Sequence, residues 1–309
     1  MTGRLYLHIG PPKTATTALQ YAFESIADEN LIYGGTFQPR ERNGGSLSDV
    51  LLRAMGGTAG RDRLDEVVRQ IAAAIRSGKS VVISEELFGL SMATPMADKL
   101  AFLGQCFAGL PTTIILCIRN PQEAIPSLYQ EIYRSQPFLT KLNFSKFCRS
   151  QAPDCYDYRK IISLLQGAGF DTIRIIGFEQ VCSGNLTTRD LFDDPTLPDR
   201  TLTLPRVNTS ATRDASPVRR FEPISLKLLT QTRLYGRLRN RLPVLRGGWG
   251  ERLVILLGWI RIPGSEYRAL TIPKEQVDHF SESYAYACNY RDNLRRADET
   301  AADALKKGA

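Results

Sequence analysis

The sequence has few of the residues that build metal sites and disulfide frameworks. Only two of its 309 residues are histidine, and none of its six cysteines belongs to a C-x-x-C pair. A zinc site or other metal site is therefore not expected, because such sites need clustered ligands. The cysteines are scattered, which is typical of buried thiols in a reducing compartment. They are Cys106, Cys117, Cys148, Cys155, Cys182 and Cys288.

Long apolar runs are also missing. The longest is Leu253–Ile260, interrupted by Gly258, whereas a membrane-spanning helix needs about 20 apolar residues. The first six residues lack the apolar stretch of a signal peptide, so we expect the protein in the cytoplasm. A composition of 43% hydrophobic and 23% charged residues excludes a disordered chain, a collagen-like chain and a coiled-coil rod.

Acidic residues are scarce in one segment, residues 217–268. It holds 11 basic and three acidic residues, a net charge of +8, which equals the formal charge of the whole chain. Such a segment attracts an acidic glycan, an anionic lipid surface or nucleic acid. Nucleic acid is not expected, because no nucleic-acid motif accompanies the charge. Leucines and both tryptophans interleave the arginines, as in the amphipathic surface helices of membrane-peripheral proteins. The alternative is a solvated helical face.

Strand and helix patterns alternate along the first part of the chain. Apolar, β-branched runs predict strands at residues 4–9, 81–84, 112–118 and 172–177. Helical periodicity predicts helices at 15–27, 64–76, 95–107, 120–134 and 158–166. Residues 34–62, which hold seven glycines, are predicted to be loops. The alternation predicts an α/β fold: three layers with a central parallel β-sheet flanked by helices, plus a helical C-terminal extension.

A lysine and three threonines stand between the first strand and the first helix. The segment reads Gly10-Pro11-Pro12-Lys13-Thr14-Ala15-Thr16-Thr17. At this point of a parallel sheet, the N–H groups and the dipole of the helix favour a negatively charged group. Lys13 adds a positive charge, and the threonines add hydroxyl donors. The segment is not a Walker A loop, because no glycine immediately precedes the lysine. The alternative is a simple helix cap.

A second group of residues follows the third predicted strand. Arg119-Asn120-Pro121 joins this strand to a helix that contains Ser127. Arg119 is expected at the carboxyl end of the strand, where ligands bind in open α/β sheets. A guanidinium and a hydroxyl there suit a phosphate group. The alternative is that Arg119 forms a structural ion pair.

The two motifs together resemble those of PAPS-dependent sulfotransferases, where PAPS is 3′-phosphoadenosine 5′-phosphosulfate. They are P-P-K-T-A-T-T and R-N-P-x-x-x-x-x-S-x-Y, and the resemblance covers about residues 4–192. The R-K-G-x-x-G motif of the cytosolic small-molecule enzymes is missing, so the chain looks like a bacterial or carbohydrate-type member. The resemblance implies a P-loop NTPase-like fold. It also implies a site for the 5′-phosphosulfate made of Lys13, Thr14, Ala15, Thr16 and Thr17. The 3′-phosphate would fall to Arg119 and Ser127.

A base is needed to remove the proton of the acceptor hydroxyl. Val81-Val82-Ile83-Ser84-Glu85-Glu86 resembles the strand that carries the catalytic glutamate of heparan-type sulfotransferases. We predict Glu85 as the base, with Glu86 as the alternative. The competing interpretation is that both glutamates cap a following helix.

The predicted function is in-line transfer of a sulfuryl group from PAPS to an acceptor hydroxyl. The product is PAP, Glu85 is the base, and Lys13 stabilises the charge on the leaving phosphate. The resemblance favours a carbohydrate or glycoconjugate acceptor and requires no metal. Two alternatives remain open: a P-loop-like nucleotide kinase or NTPase, and a catalytically inactive protein that binds anions or a membrane surface.

The domain organisation follows from the same motifs. Residues 1–192 are expected to form the PAPS-binding core. Residues 193–223 hold five of the 17 prolines and predict a linker or lid. Residues 193–309 are therefore expected to comprise a Pro-rich linker and a basic, mainly helical region that completes the same domain or caps the acceptor site. The sequence does not predict the oligomeric state.

Overall fold

The structure, a computed structural model, forms two compact units. The first comprises Met1–Ala124, Gln151–Ala211 and Val277–Ala309, and the second comprises Ile125–Ser150 and Thr212–Gln276. The residues that the structure describes are 3–38, 40–91, 93–136, 140, 143–192, 194, 197–205, 233–242, 248–260 and 270–307. Much of the basic segment 217–268 thus lies outside the described residues.

A five-stranded sheet forms the centre of the first unit. Its strands are β1 (Leu5–His8), β2 (Leu31–Tyr33), β3 (Ser80–Ser84), β4 (Thr112–Ile118) and β5 (Thr172–Gly177). Their order across the sheet is β2-β3-β1-β4-β5, and every neighbouring pair is parallel. Strands β1 and β3 are buried along their whole length, as expected of a parallel sheet that is covered on both faces.

Helices flank the sheet and complete the α/β architecture that the sequence predicts. In chain order, the helices of both units in the described part of the chain are α1 (Thr16–Ile26), α2 (Leu47–Met55), α3 (Arg61–Arg76), α4 (Met96–Cys106), α5 (Pro121–Ile132), α6 (Phe144–Cys148), α7 (Tyr158–Gly167), α8 (Phe178–Ser183), α9 (Thr188–Leu191), α10 (Arg233–Arg241), α11 (Gly248–Trp259) and α12 (Lys274–Lys307). Helix α3 buries Val67, Ile71 and Ile75, the apolar stripe that its periodicity predicts. The described parts of the C-terminal region are mainly helical, also as predicted.

The prediction that residues 34–62 are loops is wrong in part. Helix α2 lies within this range and begins after Ser46, whose hydroxyl accepts a hydrogen bond from the N–H of Asp49. The helix buries Val50 and Leu51. The glycines that suggested loops lie on either side of this short helix. Strand β2 was also not predicted, because its three residues are too few to show a pattern.

The register of the sheet brings the carboxyl ends of three strands together. His8, the last residue of β1, pairs with Ser84, the last residue of β3. The N–H of Glu85 then donates to the carbonyl of His8, with an N···O distance of 3.2 Å. On the other side, Ile9 donates to the carbonyl of Ile115 in β4. The segments that follow β1, β3 and β4 therefore leave the sheet at the same edge.

Aromatic packing and an ion pair are the main contacts described within the second unit. The ring of Tyr129 packs on Phe144 and Phe147, with centroid distances of 5.0 and 4.9 Å. Arg149 pairs with Glu275 at 2.7 Å. Among the residues that the structure describes, in either unit, no helix combines the length and the apolar character needed to cross a bilayer.

Candidate functional site

The loop between β1 and α1 has an unusual backbone conformation. Lys13 and Ala15 have φ angles of 67° and 65°, and they are the only described residues other than glycine with a positive φ. Each such residue costs about 1–2 kcal/mol, because its Cβ approaches the neighbouring carbonyl oxygen. Strain of this kind persists only where the surrounding structure enforces it, and it is concentrated at functional sites.

Four side chains enforce this conformation by binding consecutive carbonyl groups of the loop. The carbonyl of Pro11 accepts from Thr14 Oγ1 at 2.6 Å and that of Pro12 from the Tyr156 hydroxyl at 2.7 Å. The next two carbonyls, at positions 13 and 14, accept from Arg119 Nη1 at 2.9 Å and from Cys117 Sγ at 3.0 Å. Burial raises the pKa of Cys117 to about 12, so this thiol stays a protonated donor.

The inward carbonyls direct the amide groups outward. Because the peptide unit is planar and trans, its N–H points away from its C=O. The N–H groups of Thr14 and Ala15 therefore point away from the four anchoring side chains. Helix α1 begins at Thr16 with Ala15 as its N-cap, and no side chain caps it. Its first-turn N–H groups need partners, and a left-handed residue followed by a helical one forms a concave amide nest that suits an anion.

The side chains of the loop alternate between inside and outside. Thr14 is completely buried and Thr16 is 3% exposed, whereas Lys13, Ala15 and Thr17 are half-buried. The Thr14 hydroxyl is occupied by the Pro11 carbonyl, so it supports the loop rather than extending from it. Of the three predicted hydroxyl donors, Thr17 is the one with an accessible side chain. The contribution of Thr14 and Thr16 to an anion site is therefore their backbone N–H.

Gly10 permits this tight arrangement. A Cβ atom at Gly10 would lie 2.8 Å from Thr16 Oγ1 and 3.0 Å from both Thr14 Oγ1 and His8 Nε2. These distances are shorter than a carbon atom tolerates, so a larger residue at this position would push the threonines out of the loop. The glycine that ends the first strand pattern is thus required by close packing.

The strain at Ala15 predicts an unusual response to substitution. We expect Ala15→Gly to leave the free energy of unfolding unchanged or to raise it by up to about 1 kcal/mol, because relief of strain offsets the entropy that glycine adds to the unfolded chain. Ala15→Val should lower it by about 2 kcal/mol, because a β-branched residue tolerates a positive φ least. Urea denaturation measures both effects.

Ala18→Gly, at a position inside α1, is the matched control. It should lower the stability by about 1 kcal/mol, because glycine is a poor helix former. Equal losses in Ala15→Gly and Ala18→Gly would contradict the strained conformation of the loop.

Arg119 lies against the loop at the end of β4. Its side chain is 12% exposed, and its guanidinium stands 4.1 Å from the centre of the Phe178 ring. Besides the Lys13 carbonyl, it contacts Glu123 through Nη2 at 3.2 Å. Its Nε is buried and has no partner among the described residues. Arg119 therefore orders the loop and brings a fixed positive charge to it, and one donor is left over.

Glu85 occupies the corresponding position after β3 and is 1% exposed. Its Oε1 accepts the N–H of Leu87 at 2.9 Å and caps the short 3-10 turn Glu86–Gly89. The interpretation of the sequence as a capping glutamate is thus correct for Glu85. Its Oε2 accepts the hydroxyl of Thr36, which comes from the segment after β2. Thr36 in turn lies 3.4 Å from the buried Ser48 hydroxyl.

Two basic side chains surround Glu85. Arg40, which is 43% exposed, contacts Glu85 Oε1 at 3.3 Å and Glu86 Oε1 at 2.9 Å. Lys99 is 5% exposed, and its ammonium donates to the carbonyls of Leu87 and Leu90 at 2.7 and 2.8 Å. Burial lowers the pKa of Lys99, and the carboxylate of Glu85 opposes this shift. Glu85 is therefore a buried carboxylate that is hydrogen-bonded and placed near positive charge.

The structure brings most of the predicted site residues to one edge of the sheet. The loop from Lys13 to Thr17, Arg119 and Glu85 all lie at the carboxyl ends of β1, β4 and β3. Glu86 starts the 3-10 turn and its side chain is 27% exposed. Ser127 lies on α5 in the second unit and is half-buried.

Sequence reasoning missed four residues that hold this site. They are Thr36, Arg40, Lys99 and Tyr156. Lys99 had a detectable signal, because it interrupts the buried face of α4 between Met96 and Leu103. The other three come from irregular segments or short turns, where the sequence pattern does not indicate which atom each side chain contacts.

Other sites in the described residues do not compete with this one. No group of three or more histidine, cysteine, aspartate or glutamate side chains among them is arranged to hold a metal ion. A cavity of about 410 Å³ lies at the opposite edge of the sheet, where Arg4, Thr112 and Thr172 are among its lining residues. Ligands of open α/β sheets bind at the carboxyl ends of the strands, which favours the edge with the loop.

Comparison with known proteins identifies no relative that defines the family of the chain. No family model matches it, and no curated protein matches it. One of the solved structures that match is a sulfotransferase from Alicyclobacillus acidocaldarius, with 12% sequence identity and a TM-score of 0.39. The match covers 59% of this chain and 76% of that one. A similarity at this level does not define the function of the chain, and the description of the fold and the site depends on the contacts given above.

Proposed function

We propose that this protein transfers a sulfuryl group from PAPS to a hydroxyl group of an acceptor and releases PAP. The observation that carries the proposal is the loop between β1 and α1. Its carbonyls are anchored inward by Thr14, Tyr156, Arg119 and Cys117, and its amides face outward at a helix N-terminus without a side-chain cap. The motifs of this loop and of the segment after β4 resemble those of PAPS-dependent sulfotransferases.

The residues of the loop suit the 5′-phosphosulfate of the donor. The N–H groups of Thr14 to Thr17 offer an array of donors, and Lys13 and the Thr17 hydroxyl add side-chain contacts. These groups are fixed before any ligand arrives, so they stabilise charge on a leaving phosphate without reorganisation. Arg119 and Ser127 are assigned to the 3′-phosphate, and the Arg119 Nε is one of the buried donors that have no partner among the described residues. Residues 1–192 are proposed as the donor-binding core.

Glu85 is the proposed base. It removes the proton of the acceptor hydroxyl while the oxygen attacks the sulfur that PAPS supplies in activated form. The Leu87 N–H, the Thr36 hydroxyl and Arg40 hold the Glu85 carboxylate in place. Arg40 is partly exposed and has to swing aside to let an acceptor reach Glu85. Glu86 remains the alternative base.

The acceptor is proposed to be a carbohydrate or glycoconjugate, by the resemblance to carbohydrate-type sulfotransferases. We propose a cytoplasmic protein, with a membrane-peripheral location as the alternative. The proposed partner of the basic segment 217–268 is an anionic surface rather than nucleic acid. No metal is needed for the proposed transfer.

Two other functions remain as rivals. A nucleotide kinase or NTPase would use the same loop for phosphate, with Glu85 holding Mg²⁺, but the loop lacks the G-K-[ST] sequence of that class. An inactive binding protein would keep the loop, and Glu85 would then only cap the turn Glu86–Gly89 and accept from Thr36. Ligand preference separates these rivals from the sulfotransferase.

Calorimetry with PAP and PAPS tests the donor site. We expect metal-free binding that weakens at least about tenfold, or about 1.4 kcal/mol, in Lys13→Ala and in Arg119→Ala. Lys160→Ala and Arg69→Ala remove exposed, ion-paired charges elsewhere and should change the affinity by less than about twofold. Arg119→Lys keeps the charge and loses the planar fork, which separates phosphate binding from loop support. Absence of PAP binding, or a preference for ATP with Mg²⁺, would reject the sulfotransferase proposal.

A further inference from the structure

Helix α11 in the second unit carries an exposed apolar face. Trp259 is 82% exposed, Ile255 62% and Leu256 61%. Leu253 and Ile260 are exposed by 37% and 45%. At about 100° per residue, the four of these residues that belong to the helix fall within an arc of about 160° around its axis, and Ile260 follows its last residue. An exposed group of large apolar side chains marks a place where the protein contacts another apolar phase or molecule.

Positive charge accompanies this face along the chain. Residues 233–260 contain six arginines and one acidic residue, Glu251, so the segment carries a net charge of +5. Helix α10, in the same unit, exposes Arg237, Arg239 and Arg241. On α11 itself, Arg252 is exposed and falls within the apolar arc. The combination of apolar side chains, arginine and tryptophan is the composition of helices that lie in the interface of anionic membranes.

The length of α11 decides how it would meet a membrane. Its 12 residues span about 18 Å, which is well short of the roughly 30 Å of a bilayer's hydrocarbon core. The helix can therefore lie in the interface but cannot cross it. Both tryptophans of the chain, Trp249 and Trp259, stand in this helix, and tryptophan favours the interfacial region.

We propose that helices α10 and α11 dock the protein on the surface of an anionic bilayer, with the exposed face of α11 in the interface and the exposed arginines of both helices on the lipid phosphates. A second copy of the chain fits this surface less well, because a two-fold contact would bring two segments of charge +5 together. Nucleic acid would bind the arginines and gain nothing from Ile255 and Leu256. The proposal goes beyond sulfuryl transfer and does not depend on it.

Flotation with lipid vesicles and tryptophan fluorescence test the proposal with the full chain. We expect binding to phosphatidylcholine vesicles that contain about 30 mol% phosphatidylglycerol, weak binding to pure phosphatidylcholine, and a loss of binding at high salt. The Trp249→Phe variant has Trp259 as its single tryptophan, and its emission should shift to shorter wavelength on binding. Pure phosphatidylcholine vesicles serve as the matched control for charge.

Substitutions at exposed positions separate the apolar and the electrostatic contributions. Ile255→Asn with Leu256→Asn should lower the partition coefficient at least about tenfold, and Arg237→Gln with Arg239→Gln about tenfold or more. Leu294→Asn, at an exposed leucine on α12, and Arg63→Gln with Arg69→Gln on α3 are the controls. They should leave vesicle binding unchanged.

Three results would overturn the proposal. The first is that the wild-type protein does not bind anionic vesicles, or that the Ile255 and Leu256 substitutions leave vesicle binding unchanged. The second is a dimer, seen by light scattering, that these substitutions dissociate without any effect on vesicles. The third is retention by duplex DNA or RNA in place of vesicles. PAP affinity, measured on the same variants, should stay at the wild-type value, so a failure here is separable from a failure of the sulfotransferase proposal.

Discussion

Glu85→Gln should lower the rate of PAPS-dependent sulfuryl transfer about 10²- to 10⁴-fold, the usual contribution of a general base. Glutamine keeps one oxygen for the Leu87 N–H and places its NH2 group against the Thr36 hydroxyl, which can accept a hydrogen bond instead of donating one, but the amide does not act as a base. The KM for PAPS should change little, because the donor is assigned to the loop on the neighbouring strand. PAP release with a panel of glycan acceptors measures the effect.

Glu86→Gln is the matched control for this substitution. Glu86 shares the same arginine as Glu85, through a contact of 2.9 Å with Arg40, but its side chain is 27% exposed. We expect Glu86→Gln to retain activity within about threefold, since an exposed ion pair contributes little. A larger loss in Glu86→Gln than in Glu85→Gln would transfer the role of base to Glu86. If neither substitution lowers the activity, neither of these two glutamates is the base.

The stability of the fold should fall steeply in acid because of His8. This residue is completely buried, and burial lowers its pKa from 6.5 to about 3. Between these two pH values the unfolded chain therefore binds a proton at His8 and the folded chain does not. Between about pH 6.5 and pH 3 the folded state loses about 1.4 kcal/mol for each pH unit, or about 5 kcal/mol over the whole window. Below about pH 3 His8 is protonated in both the folded and the unfolded state, so it causes no further loss of stability.

Urea denaturation at several pH values between 7 and 4.5 checks the effect of His8. His8→Gln should reduce the slope of stability against pH by one proton, although it loses the hydrogen bond of Nδ1 with Ser84 Oγ at 2.7 Å and is less stable at pH 7. His279→Gln replaces the other histidine, which is 53% exposed, and is the matched control for the loss of an imidazole. Equal slopes in wild type and His8→Gln would mean that His8 is protonated in the folded protein.

The sequence was sufficient to predict four of the five strands and the position of the loop. Strands β3 and β4 and helix α3 have patterns that only one arrangement satisfies, because buried parallel strands are apolar throughout and α3 has a single apolar stripe. Asn120 precedes α5, and its side-chain oxygen accepts a hydrogen bond from the Gln122 N–H at 3.0 Å, as the N-cap residue of a helix does. Strand β2 and helix α2 could not be found this way. They are short, and their apolar residues form too brief a pattern to identify a strand or a helix without knowledge of the neighbouring strands.

The candidate site could be predicted in its location but not in its internal contacts. A strand followed by Gly-Pro-Pro-Lys-Thr indicates where an anion would bind. The sequence cannot show that Tyr156, more than 140 positions later, donates to the carbonyl of Pro12. It also cannot show that Lys99 lies buried under the turn that Glu85 caps. Such contacts depend on tertiary packing between segments that are distant in the chain.

The inward carbonyls of the loop also determine which substitutions can reveal its chemistry. Recognition through main-chain amides is largely insensitive to alanine scanning, since alanine keeps every N–H. Proline removes the N–H and fixes φ near −65°, which is incompatible with the 65° observed at Ala15. A tolerant response of Thr14 or Thr17 to alanine therefore says little about the importance of these positions. The loop presents its main-chain N–H groups at a fixed spacing, and side-chain substitutions can accumulate in the sequence without changing that spacing.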